Sequence, residues 1–94
     1  MYIFEWDAHK AARNVKLHRV TFQEASTVFS DPLAITAADP DHSHEEDRSV
    51  DIGLSDRGRI IVVSYTERGD TIRIITARKA TRRELASYEE ETRP

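Results

Sequence analysis

Apolar positions along the chain recur with different spacings, and each spacing predicts an element. Tyr2-Ile3-Phe4-Glu5-Trp6 is short, aromatic and β-favouring, and predicts an opening strand. Asp7 follows as a helix N-cap, and Ala8, Ala11, Ala12 and Val15 then recur at i, i+3, i+4 and i+7. That narrow apolar face, with His9, Lys10, Arg13 and Lys16 on the other side, predicts a helix over 8–17. Thr21-Phe22-Gln23-Glu24 has the capping-box pattern and opens a helix over 21–30 that should bury Phe22, Ala25 and Phe29. Asp31-Pro32 ends it, and the connection from Leu17 to Val20 has room only for a tight helix–helix corner.

Leu33 to Ala38 is a weak strand, followed by a polar loop from Asp39 to Glu46. Three runs rich in Ile, Val and Tyr come next, at 48–54, 59–67 and 71–77. The Gly-containing links Ser55-Asp56-Arg57-Gly58 and Glu67-Arg68-Gly69-Asp70 are hairpin-like, so successive runs should be antiparallel neighbours. Ile60-Ile61-Val62-Val63 is apolar on both faces and reads as a central strand. Thr81-Arg82-Arg83-Glu84 is a second capping box, opening a helix over 81–91 with Leu85 and Tyr88 on one side, and 89–94 reads as a fraying tail. The expectation is an α+β fold over 1–94, with a single antiparallel sheet and helices packed on it.

With 94 residues, 38% hydrophobic and 33% charged, the chain is sized for one modest core. No apolar run approaches the 18 or so residues of a membrane span, and the start lacks the basic and apolar regions of a secretory signal, so the cytoplasm is the expected location. The absence of Cys excludes disulfides, thiolate zinc sites and thiol nucleophiles. The net charge of −3 hides two opposed blocks. Residues 31–51 carry seven carboxylates against Arg48, a net of −6, and residues 57–83 carry eight Arg or Lys against Glu67 and Asp70, a net of +6. Either the blocks pair with each other, or they present a cationic face to an anion and an acidic face to a basic partner.

Two clusters hold candidate chemistry. His42 and His44, among Asp39, Asp41, Glu45 and Glu46, read as a solvated acidic loop with a metal site as the lesser alternative; no metal and no cofactor are expected. His18 ends a cation-rich helix, where the helix terminus favours imidazolium and Lys16 and Arg19 oppose it, as suits either proton transfer or a carbonyl-capping corner. In Ile72 to Lys79, a regular strand would put Arg73 and Arg78 on opposite faces. Arg78, Lys79, Arg82 and Arg83 surround the start of the last helix, a setting for phosphate or for pairing with the acidic block. No Gly-rich phosphate loop, G-x-S-x-G or H-E-x-x-H is present.

Taken in order, several stretches are similar to one family. They are Phe4-Glu5-Trp6-Asp7, Lys10, Asn14, His18, Val20 to Ala25, Val28-Phe29-Ser30-Asp31, His42-Ser43 and Glu46-Asp47-Arg48. They continue with Ile52-Gly53-Leu54-Ser55, Tyr65-Thr66-Glu67-Arg68, Ile72 to Ala80 and Glu84 to Tyr88. This pattern resembles the BrnT family of type II toxin–antitoxin toxins. The resemblance implies a RelE-like fold and a ribonuclease toxin that inhibits translation by cleaving RNA without a metal. It also implies neutralisation by a BrnA-type antitoxin with a ribbon-helix-helix domain, in a complex that represses its own operon and touches operator DNA only through the antitoxin. On this resemblance His18, Arg48 and Arg78 are the expected catalytic residues. His18 carries the proton while Arg48 and Arg78 clamp the phosphate.

Lys10, Lys16, Arg73, Lys79 and Arg82 are expected to bind RNA, and an antitoxin segment is expected across the face bearing Arg48, Arg73, Arg78 and Lys79. Trp6 or Tyr65 would stack on a base or, for Trp6 more simply, sit in the core. The family corner reads N-x-x-K-H-G-V, whereas this chain has Leu17 for that Lys and Arg19 for that Gly. Arg19 in place of that Gly argues that the corner does not strictly need positive φ. Leu17 leaves an alternative: a member that binds its antitoxin and modulates operator binding without cleaving RNA.

Overall fold

The computed structural model describes residues 1–38 and 48–93. The chain runs β1 (Ile3–Glu5), α1 (Ala8–His18), α2 (Phe22–Thr27) with a 3-10 turn over Val28–Ser30, and β2 (Ile35–Ala38). It continues through β3 (Arg48–Leu54), β4 (Ile60–Arg68) and β5 (Thr71–Lys79) to α3 (Arg82–Thr92). Gly58 and Gly69, with φ of 78° and 57°, supply the left-handed turn positions of the two hairpins. The helix starts follow the expected caps: Asp7, Thr21 and Thr81 each accept a backbone N–H from the first turn.

The sheet order is β1-β5-β4-β3-β2. Strands β2 to β5 pair antiparallel, but β1 pairs parallel to β5, with Ile3 opposite Thr71 and Glu5 opposite Arg73. The sheet is therefore mixed rather than purely antiparallel. Its short hairpin links force antiparallel neighbours, whereas β1 reaches β5 only after α1 and α2 have carried the chain across a face. Helix α1 packs against β5, and α2 against β5 and β4. Between them lie Val20, Phe22, Ala25, Val28, Ile61, Val63, Tyr65, Ile72, Ile74 and Ala77. Trp6 meets Phe22 edge-on at 6.0 Å, and Tyr65 meets Phe29 edge-on at 4.8 Å. Trp6 thus serves the core. Tyr65 is buried with its hydroxyl donating to Asp51 at 2.7 Å, so it is not exposed for base stacking.

Pairing of β4 with β5 shifts at Ser64 and Tyr65: Ser64 faces Thr76 and Tyr65 faces Ile74, leaving Ile75 as an extra residue. The bulge reverses the alternation along β5. Arg73, opposite Thr66, and Arg78, opposite Val62, therefore share one side of the sheet, not the opposite sides of a regular strand. Arg48, also opposite Thr66, belongs to that side, and Lys79, opposite the core residue Ile61, to the other. The four cations expected on one face are thus split three to one.

On α3, Tyr88 is buried and donates to Asp31 at 2.7 Å, while Leu85 stays exposed. Burial pushes the Asp31 carboxyl up, but the Leu54 N–H, the Tyr88 hydroxyl and the Leu33 N–H outweigh it and hold the group below the usual carboxylate range. Burial and the Asp31 carboxylate push the Tyr88 phenol up to about 12. The helix continues to Thr92, whose hydroxyl donates to the Tyr88 carbonyl at 2.8 Å.

Candidate functional site

Of the apolar face that its spacing predicts for α1, Ala11 packs against the core but Ala8 is exposed. Ala12 and Val15 are exposed, and Asn14 is 5% exposed. Lys10, Arg13, Asn14, Leu17 and His18, at i, i+3, i+4, i+7 and i+8, form a stripe beside the bulged part of β5. With Arg48, Ile75 and Thr76 they line a surface depression of about 330 Å³. His18, Arg48 and Lys10 are thereby brought together. Arg78 is not in the lining; it lies two residues beyond Thr76 on β5. Lys16 falls off the stripe and faces solvent, so it does not replace the charge missing at position 17. Leu17 is 68% exposed on the rim.

Buried hydrogen bonds hold this geometry. β1 ends at Glu5, so the later part of β5 has no neighbouring strand there, and the Asn14 amide takes that place. Its Nδ2 donates to the Ala77 carbonyl at 2.7 Å and to the Val20 carbonyl at 2.9 Å, and its Oδ1 accepts the Ala77 N–H at 3.1 Å. Next to His18, Arg19 adopts φ 60°, the one positive value outside glycine among the described residues. With Arg in place of the family Gly the corner is still left-handed, against the expectation that it does not need positive φ. The conformation lets the Arg19 N–H close on the Val15 carbonyl at 2.9 Å.

Sequence reasoning missed a second network beneath that corner. Glu24, 4% exposed, does not complete a capping box as Glu84 does; its carboxylate instead accepts from Ser55 Oγ at 2.7 Å and Arg59 Nε at 2.9 Å. Arg59 Nη2 also bonds Glu24 and reaches the Arg19 carbonyl at 3.1 Å. The Arg59 guanidinium holds the Glu24 carboxyl below its ordinary range against the upward push of burial. The signal for Asn14 was a polar residue three positions after Ala11. For Arg59 no local signal existed, because its partners lie on other elements.

The remaining candidates are spread over the surface. Arg78 forms a two-pronged pair with Glu84, at 2.7 and 2.9 Å, which with the Thr81 N–H holds the Glu84 carboxyl at about 2. Arg73 pairs with Glu5 at 2.7 Å beside a larger depression of about 470 Å³ that also takes in Thr66, Arg68 and Thr71. That depression lacks His18, so the histidine does not line the larger of these two recesses. Lys79 and Arg82 are exposed at the end of β5 and the start of α3. Three ion pairs of the described residues, Arg59–Glu24, Arg73–Glu5 and Arg78–Glu84, take their acids from outside the 31–51 block.

Among the described residues no group of three or more His, Asp or Glu is placed to hold a metal ion. Asp39, Asp41, His42, His44, Glu45 and Glu46 lie outside the described residues. Nor, among the described residues, is any helix long and apolar enough to cross a membrane. Chemically, the α1–β5 depression offers an imidazole amid three cationic side chains. That set can bind an anion and exchange a proton beside it.

No curated protein sequence matches the chain. The fold is similar to the crystal structure of the Brucella abortus ribonuclease toxin BrnT, with a TM-score of 0.67 at 22% identity, covering 87% of this chain and 100% of that one. A family profile described as the ribonuclease toxin BrnT of type II toxin–antitoxin systems matches residues 6–84. The chain belongs to the BrnT family of ribonuclease toxins.

Proposed function

We propose that the protein is the toxin of a type II pair and cleaves RNA without a metal, using the depression between α1 and β5. The observation that carries this reading is the convergence of His18, Lys10 and Arg48 on one recess. In the reaction the substrate's 2′-oxygen attacks the adjacent phosphorus and the bond to the 5′-oxygen breaks. The imidazole of His18 takes the 2′-hydroxyl proton and returns it to the leaving 5′-oxygen. Arg48 opposes charge on the pentavalent phosphorane, and Arg78 joins it on the same side of the sheet once phosphate displaces Glu84. Lys10, Arg73 and Arg82 hold the flanking strand, with Lys16 and Lys79 as outlying contacts.

The reading extends to a RelE-like toxin acting in the cytoplasm, where cleavage inhibits translation. A BrnA-type ribbon-helix-helix antitoxin neutralises it in a hetero-oligomer, which represses the operon through the antitoxin's grip on operator DNA. Purified protein with RNA in excess chelator tests the chemistry. Products should end in a 2′,3′-cyclic phosphate and a 5′-hydroxyl, and His18→Ala should slow their formation by about 10²–10⁴. Chelator-sensitive cleavage, or a His18→Ala rate equal to the parent's, refutes it.

One observation favours a second reading. Leu17 puts an exposed apolar side chain on the rim where the family pattern has Lys. A protein with that gap binds its antitoxin and tunes operator binding without cutting RNA. Absence of cleavage with tight antitoxin binding selects it.

A further inference from the structure

The corner after α1 holds a strained residue. Outside glycine, positive φ is unfavourable and persists where surrounding contacts impose it. Arg19, at φ 60°, is such a residue, and it immediately follows His18. Two contacts hold its carbonyl side: Asn14 Nδ2 bonds the Val20 carbonyl, and Arg59 Nη2 bonds the carbonyl of Arg19 itself. Arg59 is in turn fixed by Glu24, whose side chain is 2% exposed and also accepts from Ser55. Arg59 is the last residue of the link between β3 and β4, the Ser55 N–H bonds its carbonyl at 2.8 Å, and its guanidinium does not line the depression. Its planar fork spans two acceptors at once, the carboxylate and the carbonyl, which a lysine ammonium at the end of a flexible stem does not reproduce.

We propose that Arg59, anchored by Glu24, is a positioning residue that fixes the corner and so sets where the His18 imidazole stands in the depression. The proposal rests on the reading of His18 as the proton carrier. A small displacement of a reacting group costs up to about 100-fold in rate, so the loss appears in turnover rather than in RNA affinity.

The test is Arg59→Lys, which keeps a positive charge beside Glu24 and loses the bridge to Arg19. Turnover should fall about 10- to 100-fold, with KM changed less than twofold and the circular dichroism spectrum unchanged. In a His18→Ala background the same substitution should add no further loss, because it acts through the imidazole. An equal loss in both backgrounds, or parental turnover in Arg59→Lys, overturns the proposal. A second readout needs no catalysis: nuclear magnetic resonance signals of the His18 ring should move in Arg59→Lys while those of His9, at the start of α1, stay in place. A still His18 signal overturns the positioning role. A signal that moves in Arg59→Lys, where the wild-type protein does not cut RNA, supports the positioning role and refutes the catalytic reading of His18 instead. If Arg59→Lys fails to fold, Arg59→Met with Glu24→Gln, which removes both charges together, is read in the same assays against the same outcomes.

Discussion

Replacing Asn14 by Ala removes a side chain that bonds three backbone groups, none with another strand to turn to. The Ala77 N–H, the Ala77 carbonyl and the Val20 carbonyl lose their partner at a residue that is 5% exposed. Each bond contributes roughly 0.5–1.5 kcal/mol net, and a buried group left bare costs about 1–3 kcal/mol. Against that, Ala is the better helix former by about 0.6 kcal/mol. The balance is a loss of about 2–4 kcal/mol, a large share of the roughly 5–15 kcal/mol that holds a small domain folded. For a chain this size that lowers Tm by roughly 10–25 °C. Urea titration of the purified protein should show a lower midpoint with an unchanged slope, since the change removes contacts and not compactness. Asn14→Asp keeps the acceptor for the Ala77 N–H but sets a carboxylate against two carbonyls, and should be no more stable than Asn14→Ala. A loss below about 1 kcal/mol for Asn14→Ala would mean that water replaces the amide at the β5 edge, and the clasp between α1 and β5 would then not be a stability determinant.

Three other outcomes are expected. The Glu84 carboxyl lies at about 2 against an ordinary 4.5, so the Arg78–Glu84 pair stabilises the fold fully above pH 4.5 and progressively less as pH falls toward 2. Screening at Arg78, whose side chain is 40% exposed, limits this to about 1 kcal/mol; a Glu84→Gln variant that tracks wild-type stability from pH 6 to pH 2 refutes it. Leu17→Lys returns a cation to the rim of the depression and should raise RNA cleavage about 10-fold or more, so unchanged cleavage would mean that position 17 does not reach the phosphate. Arg73→Glu disturbs only a half-exposed pair and should leave stability within about 0.5 kcal/mol. It should slow antitoxin association and flatten its salt dependence; unchanged association kinetics would place the inhibitory surface elsewhere.

The elements set by local chemistry were legible in the sequence. β3 was expected at 48–54, its observed span, because glycine turns and β-branched runs act over a few residues. The caps at Asp7, Thr21 and Thr81 were legible for the same reason. Partner direction was not: the alternation in Ile3-Phe4-Glu5 reads the same beside a parallel or an antiparallel neighbour. The inward side of α1 was read only in part: Ala11 packs on the core as its spacing suggested, but the amide of Asn14, which binds the helix to β5, went unread. Ile75 gave no local sign of a bulge, yet that one extra residue decides that Arg73 and Arg78 share a side. His18 was found as a chemical type, and Arg48 and Leu17 through the family resemblance, but Arg13 beside them becomes visible only with the turn of the helix. Glu24 matched a cap in sequence and serves Arg59 in space, a choice made by partners about 30 residues away.

The clasp between Asn14 and Ala77 spans 63 residues, and β1 pairs with β5 across a similar stretch. Closing a loop of that length costs roughly 3–4 kcal/mol in chain entropy before any contact repays it. The β3–β4–β5 hairpins close over a few residues each, so they should form early, with α1 docking late. The recess lined by His18, Arg48 and Thr76 then comes into being only at that last step. A nascent or partly folded chain carries every residue of the candidate site but holds His18 apart from Arg48. Pulsed hydrogen exchange during refolding should therefore protect the amides that pair β3 with β4 before the Ala77 amide that Asn14 holds, and simultaneous protection would show that the sheet and the recess arise together.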